Sequence, residues 1–409
     1  MLKSKNPRRW FVAIAATFTH LGLGTVYSWS FFQQPIADSF GWSHSQTAWA
    51  FSLSILMLGF TAAWAGTQIE KYGARRLAFT GVVLYGLGYM VTYFGLRTGS
   101  LMLLYLGFGV IGGFGLGLAY VTPVAVVSRI FPEKQGIMTG MVVMGFGLGA
   151  FVMSKILAPF FLDFFHGDLA KVFLWSGIVL LVLLPFFALS LGDFKAVEIQ
   201  KSHKPNIFAI LFKSNYILIW LIFMFNIVAG MIFLSFQSPL LQDLMKASGV
   251  SDPQILEKSG ATLIAVSALF NGFGRFLWGG ISDRFGRIST FRLIFFIEIV
   301  VFLMLIFTQN TLIFSAGVCI VLLCYGGGFG VLPSLIRERF GAELMAPVYG
   351  ATLTAWGIGG ILGPQITALL KDAFPKGASA YSFAVGLALI TIGFGLSFVL
   401  KSKMKPANQ

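Results

Sequence analysis

Apolar residues run continuously along most of the chain instead of alternating with polar ones. A helix needs about 20 residues to cross a ~30 Å hydrocarbon layer. Apolar runs of that order recur at approximately 10–34, 45–68, 77–96, 101–128, 137–162, 171–192, 216–240, 260–281, 290–308, 311–335, 347–370 and 380–400. Strands of a membrane barrel would alternate over about 10 residues. The pattern therefore predicts an all-α membrane protein with twelve spans. The first run follows Lys3, Lys5, Arg8 and Arg9, as in a signal peptide, but continues to about Gln34. That is too long for a signal h-region, so it reads as an uncleaved first span.

Composition agrees with the pattern. Hydrophobic residues make up 57% of the 409 positions, charged residues 11%, and the mean hydropathy is +0.84. A soluble surface needs about 25% charged residues, so this one must face lipid. Collagen, coiled coil, disordered tail and disulfide scaffold are excluded by the same figures. Cys319 and Cys324, five apart in one apolar run, suggest neither a bridge nor a metal site. The net charge is +14, which in a soluble protein would suggest nucleic acid. No basic stripe interleaved with aromatics occurs in any polar segment, so no nucleic-acid partner is expected.

The cations instead follow the loops. Those on the side of the N-terminus hold 21 Lys and Arg, including Lys71, Arg75, Arg76, Arg129, Arg284, Arg287, Arg337 and Lys401; the opposite loops hold six. Cytoplasmic loops collect Lys and Arg, so both termini are expected in the cytoplasm, with the chain in the inner (plasma) membrane. The two cations that remain after this count, Arg275 and Lys155, fall inside spans.

The connection over 193–215 reads as a cytoplasmic linker between six-helix halves, 1–192 and 216–409. The halves resemble each other. Glu70-Lys71-Tyr-Gly73 after span two matches Asp283-Arg284-Phe-Gly286 after span eight. Gly117 and Pro123 match Gly327 and Pro333, and Gly140, Gly147 and Gly149 match Gly350, Gly357 and Gly359, both at an offset of 210. Parallel repeated halves with a site between them near the midplane define one class of secondary transporter. The 48 glycines lie largely inside spans, where small residues allow close helix packing. No strand precedes them, which argues against nucleotide binding.

The loops after spans two and eight resemble the signature loop of the major facilitator superfamily. Asn271-Gly-Phe-Gly-Arg275 through Asp283-Arg284-Phe-Gly-Arg287 resembles its oxalate/formate antiporter and monocarboxylate transporter branch. Gly41-Trp42-Ser43, Gly136 through Gly149 and Tyr349-Gly350 through Gly363-Pro364 agree. The resemblance implies two pseudo-symmetric bundles and uptake or exchange of small carboxylates by alternating access. Glu70, Arg75, Arg76, Asp283, Arg284 and Arg287 would then belong to the gating loops. The first loop departs from the family pattern, with Glu70 for Asp and Ala74 for Arg.

Arg275 lies eight residues before Asp283, about 12 Å deep at 1.5 Å per residue. A guanidinium keeps its charge there at a cost of ~3 kcal/mol on the mildest scale, and its planar fork suits a carboxylate. A permanent pair with a buried acid is the structural alternative, and Glu298 is the one acid well inside a span. Glu298 itself reads as a buried structural partner. Asn271, one turn before Arg275, could orient the guanidinium, meet the substrate, or pack helices. His20 has the titration range for proton exchange or could be a hydrogen-bonded structural residue. Lys155 could snorkel outward or guide anions. Tyr120 shares the depth of Arg275. In the resembling family the first helix of each three-helix unit lines the cavity, which adds Tyr27, Asn226 and Tyr325 as lining groups. Oxalate-exchanging relatives carry a second cation, a Lys, where this chain has Trp356.

The expectation is a transporter of short monocarboxylates, lactate- or pyruvate-like, coupled to a proton and working as a monomer without cofactor or metal. A dicarboxylate exchanger, with a counter-anion in place of the proton, is the rival within the class. A non-transporting membrane sensor on the same fold is the rival outside it. No catalytic constellation is visible, so an enzyme is not expected.

Overall fold

The computed structural model describes residues 7–192, 207–374 and 377–400. Among these, twelve helices are long and apolar enough to cross a membrane. Spans one to six are Arg8–Phe40, His44–Tyr72, Ala74–Thr98, Leu101–Ile130, Pro132–Phe164 and Leu169–Leu189. Spans seven to twelve are Ser214–Ala247, Pro253–Phe285, Arg287–Phe307, Thr311–Phe340, Met345–Ala373 and Ala378–Val399. Each coincides with a predicted run, but several extend past it. Span eight gains a polar first turn, where the Asp252 side chain caps the helix by accepting from Gln254 N at 2.9 Å. Hydropathy cannot register such turns, because they carry caps and charges. Much of the expected linker, 193–206, lies outside the described residues, as do Lys3, Lys5, Lys376 and Lys401; a short helix, Ile207–Leu211, leads into span seven.

The two signature loops turn alike. Gly73 and Gly286 end spans two and eight at φ 80° and 86°, a backbone region that a Cβ penalises and glycine does not. Of the matched glycines, Gly140, Gly147, Gly350 and Gly357 sit where spans of opposite halves touch, while Gly117, Gly149, Gly327 and Gly359 pack within their own half. A Cβ on Gly147 of span five would lie 2.6 Å from Gly272 Cα of span eight. One on Gly59 of span two would lie 2.7 Å from Leu353 O of span eleven. Close backbone approach without side chains between is how helices associate where lipid supplies no hydrophobic drive.

Both faces of the bundle are closed by bonds between the halves. On the face where span one begins, Arg337 of span ten donates to Gln135 Oε1 at 2.8 Å, and the Asp283 carboxylate lies against Gly136. On the opposite face the Asp372 carboxylate accepts the N–H groups of His44 and Ser45 at 3.2 and 3.1 Å. An acid there also suits the positive end of the span-two dipole. Ser45 donates to Gln365 Oε1 at 2.8 Å, and Ser238 N to Ser30 Oγ at 3.0 Å. A pocket of about 390 Å³ lies beside these contacts, lined by Gln34, His44, Gln242, Asp243, Lys371 and Asp372.

Candidate functional site

Arg275 is wholly buried in span eight, where spans of both halves converge. Its main chain is packed so closely that a Cβ on Gly330 of span ten would collide with the Arg275 carbonyl oxygen. The side chain can leave only toward the interface between the halves. There Nε donates to Asn271 Oδ1, one turn back on the same face, at 3.2 Å. Nη1 reaches Tyr120 Oη of span four at 3.4 Å, a long and weak bond. Nη2 and the Asn271 amide nitrogen have no hydrogen-bond partner. Among the described residues no carboxylate pairs with Arg275.

Aromatic rings surround the guanidinium instead. Its carbon lies 4.4 Å from the Phe329 ring centre, 5.4 Å from Phe146 and 5.9 Å from Tyr27. Ring quadrupoles at that range attract a cation but leave its N–H groups available. Trp356 of span eleven stands at the centre of the cluster. Its ring lies 4.7 Å from Phe329, 5.0 Å from Tyr120, 5.4 Å from Phe146 and 6.1 Å from Tyr27. The Trp356 indole N–H is unpartnered and fully buried. Tyr27 of span one and Tyr325 of span ten join the halves through a hydroxyl–hydroxyl bond of 2.5 Å. His20, also fully buried, places its ring 4.8 Å from that of Tyr120.

The structure thus gathers Arg275, Asn271, Tyr120, Trp356, Tyr27, Tyr325 and His20 into one buried cluster. Asn226 is the exception among the expected lining groups. Its amide donates to Glu298 Oε1 at 3.0 Å, between spans seven and nine. Its helix is one expected to line the cavity, but its side chain turns toward span nine. Lys155 also lies elsewhere, donating to Thr262 of span eight at 2.9 Å near the opposite face. Of the signature-loop residues, Glu70, Arg75, Arg76, Asp283 and Arg284 are exposed. Arg287 bonds Asp283 at 2.5 Å and reaches Glu338 at 3.7 Å. Phe146 and Phe329 went unnoticed in the sequence, and nothing distinguishes them among 44 phenylalanines. Tyr349, buried beside Tyr120, was visible only as part of the Tyr-Gly motif.

Chemically, the cluster offers one fixed positive charge, three unpartnered donors and apolar ring faces. Planar donors of this kind match a carboxylate, and the rings match a short alkyl group beside it.

Comparison with known proteins bears on family and fold. The profile of the Major Facilitator Superfamily matches residues 12–364. An uncharacterized MFS-type transporter, YhjX, of Escherichia coli (strain K12) is 27% identical over 86% of this chain and 86% of its own. The oxalate:formate antiporter of Oxalobacter formigenes is 26% identical over 88% of this chain and 85% of its own. Monocarboxylate transporter 14 of Mus musculus is 28% identical, but over 36% of this chain and 28% of its own. Among solved structures, a bacterial homologue of the human lysosomal transporter Spinster, inward-facing and unoccupied, superposes with a TM-score of 0.69. It is 18% identical and the match covers 99% of this chain and 100% of that one.

Proposed function

The chain belongs to the Major Facilitator Superfamily and is a multi-pass membrane protein, and from that premise we propose that it transports a short monocarboxylate, such as lactate or pyruvate, together with a proton. The observation that carries this reading is the guanidinium of Arg275, buried between the halves with an unbonded Nη2 and, among the described residues, no acid paired with it. A carboxylate there receives Arg275 as counter-charge, with Asn271 holding the fork in place and Tyr120 at its side. Tyr27, Tyr325 and Trp356 wall the remaining volume. One fixed cation neutralises one carboxylate, and a second carboxylate would stay uncompensated in a low-dielectric site.

Transport then alternates between the two closures. Breaking the Asp372 and Gln365 bonds opens one face; breaking the Arg337 and Asp283 contacts opens the other. The halves 1–192 and 216–409 move as bodies about the linker 193–215. Glu70, Arg75, Arg76, Asp283, Arg284 and Arg287 act at the cytoplasmic gate, on the face that carries both termini in the inner (plasma) membrane. The protein works as a monomer.

An exchanger of oxalate-type dianions is the second reading, favoured by the name of the Oxalobacter relative. Uptake by the purified protein in liposomes separates the two. Lactate uptake driven by an inward proton gradient, with oxalate a poor competitor, is the expected result. Uptake that ignores the gradient and needs trapped oxalate would overturn it.

A further inference from the structure

We infer that His20 is the group that carries the coupled proton, as an imidazolium bridging two main-chain carbonyls, and that it takes this proton up together with the anion at Arg275. The inference rests on the monocarboxylate reading above and names its proton site.

The argument is one of donors and acceptors. Nδ1 of His20 lies 3.0 Å from the Val142 carbonyl oxygen of span five. Nε2 lies 2.9 Å from the Tyr120 carbonyl oxygen of span four. A carbonyl oxygen can only accept. A neutral imidazole has one N–H, so its other nitrogen would turn a lone pair toward a lone pair at hydrogen-bond distance. Both contacts are hydrogen bonds only when the ring carries two protons. The ring is wholly buried.

The groups that face it show when that charge is tolerated. Span four presents Tyr120, and span five Phe146 at 6.2 Å between ring centres. Span eight presents Arg275, whose guanidinium reaches the hydroxyl of the same Tyr120 ring. Among the described residues no carboxylate bonds it. An imidazolium here therefore faces a like charge in a buried site. An anion on Arg275 cancels that repulsion. The site loaded with anion and proton has the same net charge as the empty site with neutral His20. Anion and proton thereby favour each other's binding, reciprocally, and the halves reorient with one charge state whether loaded or empty. The coupling has a short path: the carbonyl that His20 grips belongs to Tyr120, whose hydroxyl reaches Arg275.

Two measurements test this. In liposomes, the KM for lactate should rise about tenfold per pH unit on the alkaline side, the slope of one linked proton. In His20→Gln the KM should lose that slope. A slope unchanged in His20→Gln overturns the assignment of His20 but leaves lactate transport standing; a wild-type protein that moves no short monocarboxylate overturns the underlying reading. The second measurement does not depend on that variant folding. The chain has four histidines, so replacing His44, His166 and His203 with Gln leaves His20 alone. Its imidazole ¹⁵N spectrum should show a doubly protonated ring once lactate is added. A neutral ring with and without lactate overturns the proposal.

Discussion

Arg275 and Glu298 are both wholly buried ionisable residues of the second half, one on span eight and one on span nine, yet they are held in different ways. Glu298 is bonded to the Asn226 amide within its own half. The two atoms of that pair left without a partner, Glu298 Oε2 and Asn226 Oδ1, are both acceptors that a single carboxyl proton would join. Arg275 faces the other half and keeps a donor unbonded, with aromatic rings where an acid would sit. A buried polar group serving only structure is usually satisfied. One left short of partners at a moving interface is poised for a ligand.

The strongest way to break this contrast is to remove the charge. Arg275→Gln should lower lactate uptake at least about a hundredfold, the equivalent of ~3 kcal/mol for two charge-assisted hydrogen bonds. The melting temperature in detergent should hold or rise, because an uncompensated buried charge is removed. Arg275→Lys should also be poor, since a point charge lacks the fork. Near-normal uptake by Arg275→Gln in liposomes would place Arg275 with Glu298, as a structural group.

A second cation sharpens the contrast instead. Trp356→Lys puts an ammonium beside the Arg275 cluster, so a dianion becomes neutralised at both ends. Relative preference for oxalate over lactate should increase about tenfold or more, given the several kcal/mol that an unpaired buried charge costs. Competition against labelled lactate measures it. Tighter binding of oxalate than lactate by the unmodified protein would refute the single-charge site.

What the sequence made legible follows from the range of each signal. Twelve spans could be read because each is a long local run, and the alternation of loop cations checks their number. The depth of Arg275 followed from counting residues back to Asp283. Facing is harder to read, because it is decided by tertiary contacts. Asn226 lies on a helix that the family resemblance places along the cavity, but turns to span nine, where Glu298 accepts its N–H. Phe146 and Phe329 complete the cage through contacts more than a hundred residues from Arg275 or on another span, and an apolar helix carries no mark of such a partner. The hold of Asp372 on the start of span two, across more than 300 residues of chain, is equally invisible locally.

The smallest expected effect lies at Glu298, and it tests the other side of the contrast. Glu298→Gln keeps an oxygen to accept from Asn226 and adds an amide donor for Asn226 Oδ1. Uptake should stay within about twofold of wild type, and the melting temperature should hardly move, since the pair trades one satisfied arrangement for another. Glu298→Ala strips the partner from a buried amide, which costs about 1–3 kcal/mol, so the melting temperature should fall. Its KM for lactate should nevertheless stay the same, because the Arg275 fork and its rings are untouched. Asn226→Ala should match it in both respects, the loss being of the same bond. If Glu298→Gln instead abolished uptake in a folded protein, the carboxyl would have to change its state during the cycle. Burial with an amide partner would then no longer separate a structural acid from a working one.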